Sequence, residues 1–167
     1  MEPIIEIPDS PTRIAMRGGV FTATLMLIFS ALGWQLMSWL AFIFGIYMGM
    51  KAYKSVRGGI IIYSQALSAG FQTAFFTSFI LAFFAYVSVT INPSGIDITL
   101  EAMEQQLKTY TLSPVIAESI VQQWREILSP VMVAAITIFA YSAAGGLVAV
   151  LLAFFVKNTK PDEFVEY

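Results

Sequence analysis

The chain has 167 residues, of which 57 % are hydrophobic and 12 % charged, and its formal net charge is −2. With a mean hydropathy of +0.75, it could not cover its apolar surface with polar side chains in water, so the composition indicates a membrane protein. Cysteine and histidine are both absent, which excludes disulfides, thiolate metal sites and histidine-based triads. The absence of a basic run argues against nucleic-acid binding.

The first twelve residues hold three prolines and three acids. Proline at this density breaks helices, so residues 1–12 are predicted to form a flexible N-terminal tail. The acidic start is unlike that of a signal peptide.

An uncharged run extends from Gly18 to Met50. As one helix it would be about 50 Å long, against about 30 Å for the hydrocarbon core of a bilayer. Glycine can end a helix and tryptophan favours the membrane interface, so the break is placed at Gly33-Trp34. The predicted spans cover residues 14–32 and 34–53.

A third span is predicted over residues 66–91 and a fourth over 131–156, followed by a C-terminal tail at 161–167. Between these two spans lies a polar insertion, residues 92–130, whose apolar residues recur at helical spacing. Two Ser-Pro pairs, at Ser113 and Ser129, each predict the start of a helix. The predicted fold is an all-α membrane protein with four transmembrane helices and an amphipathic helical hairpin between the third and fourth.

No Asp, Glu, Lys or Arg lies between Gly18 and Met50, between Ile60 and Ile96, or between Val131 and Val156. Ion-coupled carriers usually keep such a group at membrane depth, so the pattern argues against coupled transport. We expect no catalytic residue, cofactor or metal.

The basic residues predict the orientation. With the N-terminus in the cytoplasm, seven of the nine lysines and arginines lie inside, and only Lys108 and Arg125 lie outside. This is the bias of the positive-inside rule. The expected location is the inner membrane of a bacterium, with both termini cytoplasmic.

Small residues recur at fourfold spacing in three of the spans, a pattern that lets helix backbones approach closely in lipid. We interpret these stripes as packing surfaces within the bundle; the alternative is that one of them docks a helix of a partner protein. The helix-packing candidates are Ala41, Gly45, Gly49, Ala74, Ser78, Gly145 and Ala149.

The most motif-like stretch runs from Arg57 to Phe71. The pair Gly58-Gly59 between short β-prone runs predicts a hairpin turn, and Ser64 is a candidate N-cap for the third span. A glycine-rich turn before a helix can also bind phosphate, but the lysine and spacing of a P-loop are missing. The candidate functional or packing residues of the stretch are Gly58, Gly59, Tyr63, Ser64, Gln65, Gly70 and, just beyond it, Gln72.

Gln65 and Gln72 are seven residues apart and therefore share a helix face. A buried glutamine needs hydrogen-bond partners, and Thr137, Tyr141 and Ser142 of the last span are the candidates. An interhelical hydrogen bond is the first interpretation and a ligand site the second.

The segments Gly58-Gly59, Tyr63-Ser64-Gln65-Ala66-Leu67 and Gly70-Phe71 resemble the signature of an uncharacterised family of Bacteroidota membrane proteins, the domain-of-unknown-function family 4199. Ser129-Pro130 through Gly145-Gly146 to Lys157 resembles the last part of that family, and the resemblance covers residues 14–160. It implies no catalytic residue. It does imply an accessory role in assembling envelope glycan or lipid.

The first functional hypothesis is thus a non-enzymatic accessory or scaffold protein, with membrane lipids and another membrane protein or a second copy as partners. The alternative is a small uncoupled transporter or lipid-handling protein that uses Gln65, Gln72 and Thr73. An enzyme would have to use the acids of the insertion, which amphipathic helices more often present to solvent.

Overall fold

The computed structural model describes residues 10–110 and 113–158, and within these it contains six α-helices and no strand. Four helices are long and apolar enough to cross a membrane, which confirms the predicted fold class. The helices are α1 (Pro11–Ala31), α2 (Gln35–Val56), α3 (Tyr63–Ile91), α4 (Ser94–Thr109), α5 (Pro114–Ile127) and α6 (Pro130–Val156).

The described residues form two units. The first comprises residues 10–80 and 140–158, and the second comprises residues 81–139. The predicted C-terminal tail and residues 1–9 of the predicted N-terminal tail lie outside the described residues.

Helix α1 begins three residues before the predicted span. Ser10 has extended backbone dihedrals and its side chain accepts a hydrogen bond from the Arg13 amide, while Pro11 occupies the first helical turn. Proline is tolerated there because its missing N–H would have no partner inside the helix. Pro11, which was predicted to belong to the flexible tail, is therefore the first residue of α1.

The break between α1 and α2 is a Schellman motif centred on Gly33, which has φ of +74°. The amide of Gly33 donates to the Ser30 carbonyl, and that of Trp34 donates to the Phe29 carbonyl. The rings of Phe29 and Trp34 stack with their centroids 6.2 Å apart. These three contacts are typical of a Schellman helix ending. The turn therefore lies at Gly33-Trp34, where the sequence predicted it.

The interior of the first unit combines large apolar side chains from α2 with small ones from the other helices. Phe42, Ile46 and Met50 are fully buried. A Cβ at Gly145 of α6 would lie 3.0 Å from the Phe42 ring, and one at Gly70 of α3 would lie 3.3 Å from Ile46. Glycine at these points lets the helices approach the bulky face of α2.

In the second unit, α4 and α5 form an antiparallel hairpin. The Asp97 carboxylate at the start of α4 lies 3.3 Å from the Arg125 guanidinium at the end of α5. Leu100 of α4 and Ala117 and Val121 of α5 are buried. Proline opens α5 and α6, as the Ser-Pro pairs predicted, and the Ser129 hydroxyl accepts a hydrogen bond from the Met132 amide.

Candidate functional site

The glycine pair ends α2 and does not form a β-turn. The Gly58 amide donates to the Ser55 carbonyl and the Gly59 amide to the Lys54 carbonyl, at 3.1 and 3.0 Å, and both glycines have positive φ. This is a second Schellman motif. The predicted β-hairpin is therefore wrong, because the residues before the pair are the last turn of α2. Both structures require glycine at positive φ, so the local sequence did not distinguish them.

The end of α6 closes over this turn. Asn158 donates from its backbone amide to the Ile61 carbonyl at 2.9 Å and from Nδ2 to the Gly59 carbonyl at 3.1 Å. The Lys54 Nζ donates to the Val156 carbonyl at 2.8 Å, where a cation complements the negative end of the helix dipole. The chain's own groups thus use two carbonyls of the turn, and we call these contacts the α6 clasp.

The N-terminus of α3 is capped differently from the prediction. The helix begins at Tyr63, one residue before the proposed cap Ser64, which is exposed. The Ile62 amide donates to Gln65 Oε1 at 3.4 Å. Gln65 is the third residue of the helix, and its side chain accepts this hydrogen bond as in a capping box. One of the amides available to an anion at this helix end is therefore already used by a side chain.

Tyr63 and Gly70 connect the start of α3 to α6. The Tyr63 hydroxyl donates to the Val150 carbonyl at 3.4 Å, and its ring lies 4.8 Å from that of Phe154. A Cβ at Gly70 would lie 3.0 Å from the Ala149 Cβ. Both residues have packing roles in the structure.

The two glutamines lie on one side of α3 together with two serines. We call these residues, Ser64, Gln65, Ser68 and Gln72, the α3 polar face; all are exposed or half-buried. The Gln72 Nε2 donates to Ser68 Oγ at 3.4 Å. Gln72 Oε1 is buried and has no hydrogen-bond partner within residues 10–110 and 113–158. A half-turn of the amide would only exchange the two atoms, so one polar group would still be unpaired.

None of the three candidate partners on α6 reaches that amide. Ser142 Oγ lies 2.8 Å from Ser78 Oγ. Thr137 donates to the Val133 carbonyl one turn earlier in its own helix. The Tyr141 ring stacks on Trp39, with centroids 5.6 Å apart. Ser142 and Thr137 therefore have other hydrogen-bond partners, and the interhelical hydrogen bond between α3 and α6 joins two serines.

The small-residue stripes are buried between the helices of the first unit. A Cβ at Gly49 would lie 3.0 Å from Thr73 Cγ2, and the Thr73 hydroxyl donates to the Ala69 carbonyl. Thr73 thus lies on the packed side of α3, about 100° around the helix from Gln72. All seven of the predicted helix-packing residues are buried: Ala41, Gly45, Gly49, Ala74, Ser78, Gly145 and Ala149.

The part of α1 that packs against α3 was not among the predicted packing residues. A Cβ at Gly19 would lie 2.6 Å from the Phe76 Cβ and 3.1 Å from the Thr77 amide nitrogen. The Thr77 hydroxyl, 3.4 Å from the Gly19 carbonyl, is a donor to it. Thr22, also fully buried, is four residues after Gly18, so the fourfold spacing that marked the other spans was present here too.

A groove of about 420 Å³ separates the outer edges of α1 and α2 near their basic ends. Its walls are almost entirely apolar, apart from Arg17 and Ser55. A second cavity, of about 230 Å³, lies in the second unit and is lined by residues of α3, α4 and α6 together with Leu128. Its two threonines, Thr99 and Thr137, donate within their own helices, so this cavity is also apolar.

The acids of the insertion do not form a cluster suited to metal binding. Among residues 10–110 and 113–158, no group of three or more acids could hold a metal ion. Asp97 pairs with Arg125, and Glu104 pairs with Lys108 one turn later in α4. Two of the described acids are therefore in ion pairs, Asp97 between the helices of the hairpin and Glu104 within α4.

The chain matches a known protein family. Residues 14–158 match the family described as "Protein of unknown function (DUF4199)". The chain belongs to this family. No curated protein and no solved structure matches it. The DUF4199 match ends at Asn158, so it includes all the helices from Ile14 onward and the residues of the α6 clasp.

Proposed function

We propose that this DUF4199 protein is a non-enzymatic accessory or scaffold subunit in the cytoplasmic membrane of a bacterium, where it serves an envelope process such as glycan or lipid assembly. The observation that carries the proposal is the α3 polar face. It combines the exposed side chains of Ser64 and Ser68 with the half-buried side chains of Gln65 and Gln72, and the amide of Gln72 has an unpaired oxygen among the described residues.

The depth of this face supports a protein partner. Gln72 lies nine residues after the start of α3, or about 13 Å along the helix axis. The predicted span begins at residue 66, six residues or about 9 Å before Gln72, so we place Gln72 below the membrane surface. Lipid tails offer an amide no hydrogen bond, whereas a polar side chain on a neighbouring helix does.

Both packed sides of α3 are already occupied within the chain. Thr77 faces α1 and Ser78 faces α6, where each makes a hydrogen bond. A partner helix would therefore meet the remaining side, the α3 polar face.

The test is affinity purification in a mild detergent. The wild-type chain should recover a stoichiometric membrane protein, and the double variant Ser68→Ala/Gln72→Leu should lower that recovery severalfold. Phe75→Leu is the matched control, because Phe75 is 43 % exposed on the same side of α3 and carries no polar group. Recovery of the wild-type chain without another protein would overturn the accessory role, and full recovery by the double variant would overturn the role of this face.

The alternative of an uncoupled transporter or lipid-handling protein draws less support from the geometry. It requires Gln72 and Thr73 to line one path, but Thr73 is fully buried and contacts α2. Transport of a polar solute by reconstituted vesicles, abolished by Gln72→Leu, would favour this alternative over the scaffold.

The proposed orientation places both termini in the cytoplasm. Because the chain contains no cysteine, single cysteines can report it. In intact cells, a membrane-impermeant thiol reagent should label Ser119→Cys on α5 but not Ser55→Cys at the end of α2, both at exposed positions. The opposite pattern would reverse the proposed topology.

A further inference from the structure

The amphipathic hairpin carries an apolar surface that no other element of its unit covers. On α5, four large apolar side chains recur at spacings of four, four and three residues; we call Ile116, Ile120, Trp124 and Ile127 the α5 stripe. Three of them are 40–50 % exposed, and Ile120 is half-buried. The residues that pack against α4, Ala117 and Val121, adjoin the stripe on one side.

The opposite side of α5 is polar. Glu118, Gln122 and Glu126 recur at fourfold spacing there, and all are exposed. Apart from Val115 in the first turn, apolar and polar side chains thus occupy separate arcs of the helix. This is the pattern of a helix that lies in a membrane–water interface.

Short connections hold the base of the hairpin at the bilayer surface. Two residues separate the end of α3 from the start of α4, and two separate the end of α5 from the start of α6. Trp124 and Ile127 therefore lie within about one helical turn of a membrane span. The surface formed by α3 and α6 in the same unit is itself apolar and exposed, as at Phe83 and Val131, so the stripe continues a lipid-facing surface.

The stripe also extends to the far end of α5. Ile116 is eleven residues from Ile127, or about 16 Å along the axis. A hairpin that projected from the membrane would leave Ile116 in water far above the bilayer. A hairpin that lies flat would place the whole stripe at the same depth.

We propose that the α4–α5 hairpin lies on the bilayer surface that the end of α3 and the start of α6 reach, with the α5 stripe inserted at the boundary between headgroups and acyl chains. The occupant of this surface is the lipid itself. Tryptophan near one end of the stripe suits that depth, because its ring is apolar and its N–H can reach water or a headgroup.

Charge determines which lipid this surface prefers. The hairpin carries five carboxylates and only two basic side chains, whereas helices that bind anionic membranes are rich in lysine and arginine. Attachment is therefore hydrophobic rather than electrostatic, and we expect it to be the same with zwitterionic and with anionic headgroups.

Two single-cysteine variants test the proposal in the full-length protein. Ile116→Cys and Glu118→Cys lie two residues apart at nearly the same height along α5, but on opposite sides of it. Each is spin-labelled in vesicles of phosphatidylcholine, with and without a phosphatidylglycerol fraction, and its collisions with oxygen and with a water-soluble nickel complex are measured. Size-exclusion profiles matching the wild type establish that both variants fold.

The proposal expects position 116 to collide severalfold more with oxygen, relative to nickel, than position 118, in both lipid mixtures. Equal exposure of both positions to nickel would overturn it, because the hairpin would then project into water. Protection of position 116 from both reagents would also overturn it, since a protein surface would then cover the stripe. A shift that required phosphatidylglycerol would refute the hydrophobic mode of attachment.

Discussion

Gly19 is the position at which a single methyl group should disturb the bundle most directly. The added Cβ of Gly19→Ala would lie 2.6 Å from the Phe76 Cβ and 3.1 Å from the backbone nitrogen of Thr77. Carbon atoms pack best at about 3.5–4.0 Å. These α3 atoms belong to the backbone or adjoin it, so no side-chain rotation relieves the overlap and α1 must move away from α3 by about 1 Å.

The expected cost follows from two opposing terms. Overpacking a well-packed interior costs about 1–3 kcal/mol, and the separation also strains the Thr77 hydrogen bond to the Gly19 carbonyl. Replacing glycine by alanine within a helix contributes up to about 1 kcal/mol in the other direction. Gly19→Ala should therefore lower the free energy of unfolding by about 1–2 kcal/mol.

The assay is reversible unfolding in mixed micelles of increasing dodecyl sulfate content, followed by tryptophan fluorescence. Gly146→Ala is the matched control, because its Cβ would meet only the Phe71 ring at 3.5 Å, an ordinary contact; it should be neutral or slightly stabilising. Gly18→Ala should fall between them, since its Cβ would lie 3.2 Å from a Thr73 methyl group. If Gly19→Ala were as stable as Gly146→Ala, the close approach of α1 and α3 would be refuted.

Three further predictions use the same unfolding assay. Gly58→Ala should cost about 1–2 kcal/mol, because φ at Gly58 is +71° and an L-residue is disfavoured there; Gly95→Ala, which meets nothing within 4 Å, is its control, and equal effects would contradict the strain argument. Ser142→Ala should cost about 0.6 kcal/mol, the typical value for an interhelical hydrogen bond in a membrane, by removing the bond to Ser78; no loss would mean that the pair does not contribute. Asn158→Asp should lower the free energy of unfolding more than Asn158→Ala. The new carboxylate has no N–H to donate, so one of its oxygens would lie against the Gly59 carbonyl oxygen; a larger loss for Asn158→Ala would contradict that geometry.

The ends of the helices show how far local sequence patterns reach. Gly33-Trp34 and the two Ser-Pro pairs predicted helix boundaries correctly, because glycine accepts positive φ and proline lacks an amide hydrogen and fixes φ. Of the two serines, Ser129 accepts a capping hydrogen bond, whereas Ser113 makes none with its side chain. Gly58-Gly59 was read as a β-hairpin because positive φ serves that turn and a helix end equally. The capping role shifted from Ser64 to Gln65 because the helix starts one residue earlier than its sequence signal.

The sequence by itself determined that this chain belongs in a membrane, has four spans, and carries a polar hairpin between the last two. These features follow from the length and composition of apolar runs, which the thickness and dryness of the bilayer select directly. Only the tertiary structure decided which polar groups are paired. Gln72 and Thr73 are neighbours in sequence, yet Gln72 is half-buried with an unpaired amide oxygen among the described residues, whereas Thr73 is fully buried and donates a hydrogen bond to the Ala69 carbonyl. That distinction depends on where the other helices lie, which the periodicity of one helix does not specify.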